Sequence, residues 1–428
     1  MSYTCSIDQA RGLALAGAGL AAPRPPRARS HAEARRRALA AVESLGYVQI
    51  DSVNVMARAQ DMVLFSRIGA VPRDILTTPT PPGGDLVEHW AHEASVLTPS
   101  IARLTCVFPR SGLWGSRVRY REHADWEACR SRVLSLLSDQ PATALAVADQ
   151  IAPGDREGRR LAESCVRDAF ASGELVGIGR TRTFQRLLAR PELLWPDLWD
   201  RDAAPEPADA ARELTRIALR GLGIARTSTV ADWFRLPASA VQEALARLEA
   251  QGLARRVEVA GTSSRREDPW WVPVPSALDE GAQLPRPRAP ATAAGLFAED
   301  TPWRGRTRLL SPFDPLVAHR PRLFELFGVR YRIGIYTPAP KRTYGYYDLL
   351  VLRGRDIVGR IDLRADRAAG VLRVMGFWLE TGPDRSPVGQ ARALRGELAR
   401  VARWQGLSDI AVDDAARGDG AAALARVL

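Results

Sequence analysis

Leucines, alanines and valines recur at three- and four-residue spacing in three stretches of the chain. Each stretch ends on a glycine followed by an extended run. The first, HAEARRRALAAVESLGYVQID, predicts a helix from His31 that stops at Gly46. In RRLAESCVRDAFASGELVGIGR the stop is Gly173, and in LPASAVQEALARLEAQGLARRVEVAG it is Gly252. Glycine just past a helix end adopts the left-handed conformation at little cost, so the chain can turn back alongside the helix. The third copy is the fullest. It predicts a helix over 212–222, a short helix over 229–234, and a longer one capped by Ser239 after Leu236-Pro237. A strand, a polar turn over 261–266 and the run DPWWVPV follow. Helix, short helix, longer helix and two-stranded wing is the order of a winged helix-turn-helix. The second copy fits the same plan with 142–151 as its middle helix. The apolar run 13–22, closed by Pro23, predicts a first helix.

From about Thr307 the pattern changes to alternating or continuous apolar runs: YRIGIYTP, YYDLLVL, DIVGRIDLRA and GVLRVMGFWLE, the last three separated by turn residues. These predict an antiparallel sheet, curled or closed into a small barrel, followed by one amphipathic helix over 386–405. Proline-rich joints at 77–84, 191–207 and 273–290 separate the units, with 279–292 the most loop-like. The expected fold is α+β. Three tandem winged helix-turn-helix modules occupy 1–125, 126–205 and 206–290, and a C-terminal antiparallel β-barrel-like domain occupies 291–428.

Composition adds a partner. The 428 residues carry a net charge of +11 with globular apolar content, and a surplus of that size favours a polyanion. A basic but inert surface is the alternative. Almost all the positive charge is arginine; the single lysine is Lys341. Cys5, Cys106, Cys129 and Cys165 are scattered without a C-x-x-C, so neither a zinc site nor a disulfide framework is indicated. Reduced cysteines and the lack of any apolar run of membrane-spanning length point to a cytoplasmic protein with no membrane partner.

Several chemistries drop out. HWAHE, from His89 to Glu93, resembles half of a zinc-protease motif, but Val96 stands where His92 would need a second histidine. There is no G-x-x-x-x-G-K-[ST] loop, no G-x-S-x-G elbow, and no acidic cluster for a two-metal nuclease. One stretch remains: GYVQIDSVNVMARAQD. With a period of two, Gln49 and Asp51 share one face while Val48 and Ile50 take the other. That is either the outer face of an ordinary half-exposed strand or an amide and a carboxylate aimed together.

GYVQIDSVNVMARAQDMVLFSR resembles the signature of the winged-helix DNA glycosylases that unhook interstrand crosslinks, the YcaQ/AlkZ type. HWAHEASVL resembles a second segment of that family. SPFDPLV, YRIGIYTPAPKRTYGYY and VGRIDLRADRAAGVLRV resemble its C-terminal portion, so the similarity spans nearly the whole chain. The resemblance implies tandem winged helices plus a β-barrel domain around a DNA channel, no cofactor, and a monomer. It implies a catalytic pair of the form glutamine, apolar residue, then glutamine or aspartate; Gln49-Ile50-Asp51 is the aspartate form, that of the broader-specificity branch. Gln60 stands where the family is expected to carry histidine.

The implied substrate is double-stranded DNA bearing alkylated or crosslinked guanine. Guanine alkylated at N7 departs as a neutral base and needs no general acid. It needs a stabilised oxocarbenium-like sugar and a placed water, tasks suited to Asp51 and Gln49. With one lysine available for a Schiff base, the expectation is a monofunctional enzyme that leaves an abasic site. Expected DNA contacts are Arg58, Gln60, Arg67, His92, Arg180, Arg182, Arg255, Arg256, Arg265 and Arg266. Lys341 and Arg342 are expected on phosphates, with Tyr344 and Tyr346 alongside. The rivals are a non-enzymatic winged-helix regulator and a protein-interaction scaffold.

Overall fold

A computed structural model describes residues 3–108, 120–200, 204–263, 267–274, 306–380 and 386–428. The first repeat forms as its pattern dictates. Helix His31–Leu45 starts at Ser30, whose hydroxyl accepts from the Glu33 amide, and buries Ala34, Ala38, Ala41, Val42 and Leu45 along one stripe. Gly46 closes it in the left-handed region at φ 83°. Gly173 does the same for helix Arg156–Ser172. In the third repeat the helices are Pro207–Leu222, Thr227–Phe234 and Ala238–Ala250, followed by strands Ala254–Val259 and Trp270–Pro273. The order is the expected one, but Ser239 is not the cap. Pro237 takes that position and places Ser239 inside the first turn. The first helix also differs: it is Ile7–Gly17, begun by a Ser6–Gln9 capping box. It ends where Gly17 meets Gly223, since a Cβ on Gly17 would lie 2.4 Å from the Gly223 nitrogen.

The first two repeats do not have separate sheets. Strands Val48–Gln49, Ala94–Leu97, Val87–Trp90, Val176–Arg180, Arg186–Ala189 and Ala142–Thr143 form one six-stranded sheet in that spatial order. Two hairpins, one from each of the first two repeats, join through the Glu88–Gly177 pairing. The Glu88 carboxylate is 3% exposed, and it receives Arg180 at 2.6 and 2.9 Å and Arg186 at 2.7 Å. Burial alone would raise that carboxyl; Arg186 and Arg180 override it and hold it below the usual carboxylate range. A second sheet combines the wing of the third repeat with Tyr3–Cys5, which runs parallel to Ala254–Val259.

The C-terminal sheet is open, which corrects the barrel expectation. Its five strands are Thr307–Leu310, Asp348–Arg353, Asp356–Asp366, Val371–Leu379 and Asp409–Arg417, and the first and last do not pair. Nor is it wholly antiparallel. Helix Pro387–Gln405 carries the chain back across the sheet, so Asp409–Arg417 lies parallel to Val371–Leu379. YRIGIYTP supplies no strand; Gly334–Tyr336 is a 3-10 turn. Pro338 and Pro340 lack the amide a ladder needs, and Gly334 lies against the Gly345 carbonyl, 2.2 Å from where a Cβ would sit.

Helix Ala59–Ile68 links the halves. Its Met62 and Phe65 pack with Met56 and Ala57 onto Tyr347, Leu349, Val351 and Leu363 of the C-terminal body. Each such side chain stabilises by about 1.5–3 kcal/mol on burial. At its far end Arg67 forms a two-pronged ion pair with Asp314 at 2.7 and 3.0 Å, both side chains almost fully buried. Among the described residues no helix is long and apolar enough to cross a membrane.

Candidate functional site

The site begins where the six-stranded sheet runs out. Val48 and Gln49 pair with Val96 and Ser95, and the Ile50 amide still reaches the Ala94 carbonyl at 2.9 Å. The next amide, that of Asp51, leaves the ladder and donates to the Gln60 side-chain oxygen at 3.1 Å. The alternation expected from sequence therefore persists to Asp51, although the strand itself is only Val48–Gln49.

Asp51 is half-buried. Its Oδ1 accepts from the Val53 amide at 3.2 Å, the short local turn that aspartate favours. Its Oδ2 is buried and makes no hydrogen bond. Burial raises the carboxyl above its ordinary value, while the Val53 and Ser52 amides oppose the shift. Among the described residues no ion pair holds it. Gln49 is 8% exposed, and among the described residues its side-chain amide has no hydrogen-bond partner. The amide and one carboxylate oxygen are thus both uncommitted, two positions apart on one extended backbone.

The loop that follows is clamped from the C-terminal body. Ala365 donates its amide to the Val55 carbonyl, and Arg367 donates to that of Met56. Tyr347 faces Asp51 from this side. Burial raises the phenol strongly, and the nearby Asp51 charge adds to the effect. The Tyr347 hydroxyl lies 3.5 Å from Ser311 Oγ, and Phe313 packs against its ring. Tyr347 is not among the contacts the sequence suggests, which name its neighbours Tyr344 and Tyr346. The available signal was the YYDLLVL alternation itself, which points one of its two tyrosines inward.

Other expected contacts divide sharply. Gln60 is 1% exposed, and its side-chain oxygen accepts from the Asp51 backbone amide. Arg67 is withdrawn too: its guanidinium is spent on Asp314 and the Ala18 carbonyl. His92 donates from Nδ1 to the Asp232 carbonyl at 3.1 Å and accepts from Arg235 at Nε2, so it is neutral and ties the first repeat to the third. Burial accordingly lowers its proton affinity, against the pull of Asp232. Arg180 is committed to Glu88, where two hairpins meet. These four are polar for structural reasons that periodicity cannot reveal.

Arg58 caps helix Ala59–Ile68 and stacks 3.9 Å from the Phe184 ring, with Arg180 on the same ring at 4.5 Å. Its Nε is buried without a partner. Arg182 and Arg255 are exposed. Arg256 is exposed as well, pairing with Glu249 at 3.2 Å beside Trp271. Arg265 and Arg266 lie outside the described residues. Lys341 is exposed at the end of the turn Ala339–Lys341. Arg342 is held by the Gly334 and Thr337 carbonyls and stacks on Tyr346, whereas Tyr344 lies under Arg360. Tyr347, three positions beyond Tyr344, is the residue of that loop that feels the Asp51 charge. Among the described residues no group of three or more His, Cys, Asp or Glu could hold a metal.

Asp61 also lies in this region. It is 5% exposed, and burial pushes its carboxyl up to about 7, with Arg58 opposing and Asp74 adding to the rise.

Comparison with known families matches residues 42–404 to the family described as DNA glycosylase AlkZ-like. Among solved structures, the Streptomyces sahachiroi DNA glycosylase AlkZ superposes with a TM-score of 0.61 at 18% identity, covering 96% of this chain and 99% of that one. At that identity the second likeness concerns the fold.

Proposed function

The chain belongs to the AlkZ-like DNA glycosylase family, a family of DNA N-glycosylases, and from that premise we propose that it hydrolyses the glycosidic bond of N7-alkylguanine in duplex DNA. The proposed substrates include interstrand crosslinks, and the product is an abasic site. Asp51 and Gln49 act as the pair. The observation that carries this reading is the Asp51 Oδ2, buried and without a partner among the described residues, two positions along the same extended backbone from Gln49.

The chemistry follows from the charge. As the neutral purine leaves, positive charge collects on the sugar. A carboxylate about 4 Å away stabilises it by on the order of 4 kcal/mol at an effective dielectric near 20. That corresponds to roughly a thousandfold in rate. The half-buried position keeps water from screening the charge, which is the same burial that raises the proton affinity of Asp51. Oδ2 is free to accept the proton of an attacking water, and the Gln49 amide can hold that water through one acceptor and two donors. The regulator alternative gives way to family membership.

Asp51→Asn tests the reading. A duplex containing N7-methylguanine, or a nitrogen-mustard crosslink, is incubated with enzyme and then treated with alkali to reveal strand breaks. Breaks from the variant should fall roughly a thousandfold while duplex binding persists. Full base release by the variant would remove Asp51 from the mechanism. Borohydride should trap no enzyme–DNA adduct if the reaction is monofunctional; trapping at Lys341 would overturn that part.

A further inference from the structure

On the opposite end of helix Ala59–Ile68 from Gln60, an open pocket of about 1020 Å³ is bounded by this helix, the start of helix His31–Leu45 and one face of helix Pro387–Gln405. Arginines dominate its wall, among them Arg27, Arg29, Arg306, Arg308, Arg400 and Arg403, and no Asp or Glu is among the described residues that line it. Glu397 lies buried beside it, but is held by Arg24 at 2.7 Å and by Arg400 at 2.9 Å.

Arg308 is the telling residue. It is 6% exposed, its Nε is buried without a partner, and among the described residues it has no ion pair and its other nitrogens reach only the Thr307 and Ala22 carbonyls at 3.2 and 3.5 Å. Burial, with the repulsion of Arg24, Arg306 and Arg400, lowers its proton affinity to about 9 against the opposing pull of Glu397. A buried cation left uncompensated among other cations is costly unless an anion completes the site. Arg27 and Arg403, both exposed and without side-chain partners among the described residues, carry the positive wall outward to the surface.

We propose that this pocket is a second nucleic-acid contact, taking backbone phosphates of the duplex away from the lesion. A pocket open to solvent and basic from floor to rim suits a continuous phosphate chain. Along this helix Gln60 and the pocket-lining Ile68 are eight residues apart, about 12 Å, or roughly three to four base-pair steps of duplex at 3.4 Å each. The assignment rests on this chain being a DNA enzyme but not on Asp51. It is therefore tested with undamaged duplex, which reports on the pocket whether or not a base is released.

Fluorescence anisotropy of a labelled duplex across a salt series is compared for wild type, Arg27→Glu/Arg403→Glu, and Arg308→Met. The double variant should lose at least about tenfold in affinity, and its slope of log Kd against log salt should become shallower by about 2. Arg308→Met should also bind more weakly yet keep or raise the melting temperature, because it removes an unpaired buried charge. A purely structural Arg308 would instead lower the melting temperature and leave the slope alone. Inorganic tripolyphosphate, followed by the fluorescence of pocket-lining Trp404, separates the sources. Displacement by duplex supports the proposal. Tripolyphosphate binding with wild-type DNA slopes in both variants would assign the pocket to a free phosphate ligand and overturn it.

Discussion

The backbone amide of Asp51 donates to the side-chain oxygen of Gln60 at 3.1 Å, so the second residue of helix Ala59–Ile68 fixes a residue just past the end of strand Val48–Gln49. The carboxylate is aimed by a buried neighbour nine positions away.

Loss of that acceptor should loosen Asp51 without touching DNA. Gln60→Ala leaves a buried amide unpaired, a cost of about 1–3 kcal/mol. The single-turnover rate on N7-methylguanine duplex should fall about tenfold while duplex affinity stays at the wild-type value. Gln60→His, which keeps an acceptor, should recover most of the rate. Equal losses in affinity and rate would show that Gln60 acts on DNA binding instead.

The pH–rate profile should carry the signature of Asp51. Its carboxyl is raised, chiefly by burial, and only the ionised form can stabilise the sugar cation. The rate should climb with pH on a limb lying above the ordinary carboxylate range. That limb should vanish from the residual activity of Asp51→Asn. A flat profile across that range in the wild type would contradict an ionising carboxylate at the reacting centre.

Stability should fall, not rise, as pH increases from about 4 to about 7, through Asp61. Its folded value of about 7 lies above the ordinary aspartate value of 3.8. The native state therefore binds the proton more tightly than the unfolded chain, and its advantage is lost as pH passes the folded value. Asp61→Asn should flatten this part of the stability profile and be more stable than wild type above pH 7, as read by urea unfolding. Unchanged pH dependence in the variant would place the titration elsewhere.

The Arg67–Asp314 pair should behave as a buried clamp. Arg67→Met strands a buried carboxylate and should cost about 3–5 kcal/mol, measured by urea unfolding. Arg67→Met/Asp314→Asn should recover part of that loss, since neither charge is then stranded. A loss confined to DNA affinity, with stability intact, would return Arg67 to the DNA surface.

Local chemistry was legible from residue order. Helix His31–Leu45 with its Gly46 stop, and the third repeat from 207 onward, follow from apolar spacing that any solvent-exposed helix must show. The Gln49–Asp51 alternation follows from strand geometry alone. Strand Asp409–Arg417 went unread because its three aspartates argue against a strand, and it is ordered by the parallel pairing that helix Pro387–Gln405 makes possible. The barrel failed for a similar reason: closure depends on whether the edge strands meet, and alternation says nothing about that.

The sequence by itself determined which residues could do chemistry: one amide and one carboxylate on a shared extended face, in a basic chain with a single lysine. Tertiary structure decided which polar residues remained available. Gln60, Arg67, His92 and Arg180 look as free as Asp51 along the chain, yet each is taken by a partner from a distant segment or a neighbouring turn, while the Asp51 Oδ2 is left without one. The reason is that burial and pairing are set by contacts between segments far apart in sequence. A polar group's chemistry is intrinsic, whereas its freedom to act is what remains after the fold has satisfied its own buried donors and acceptors.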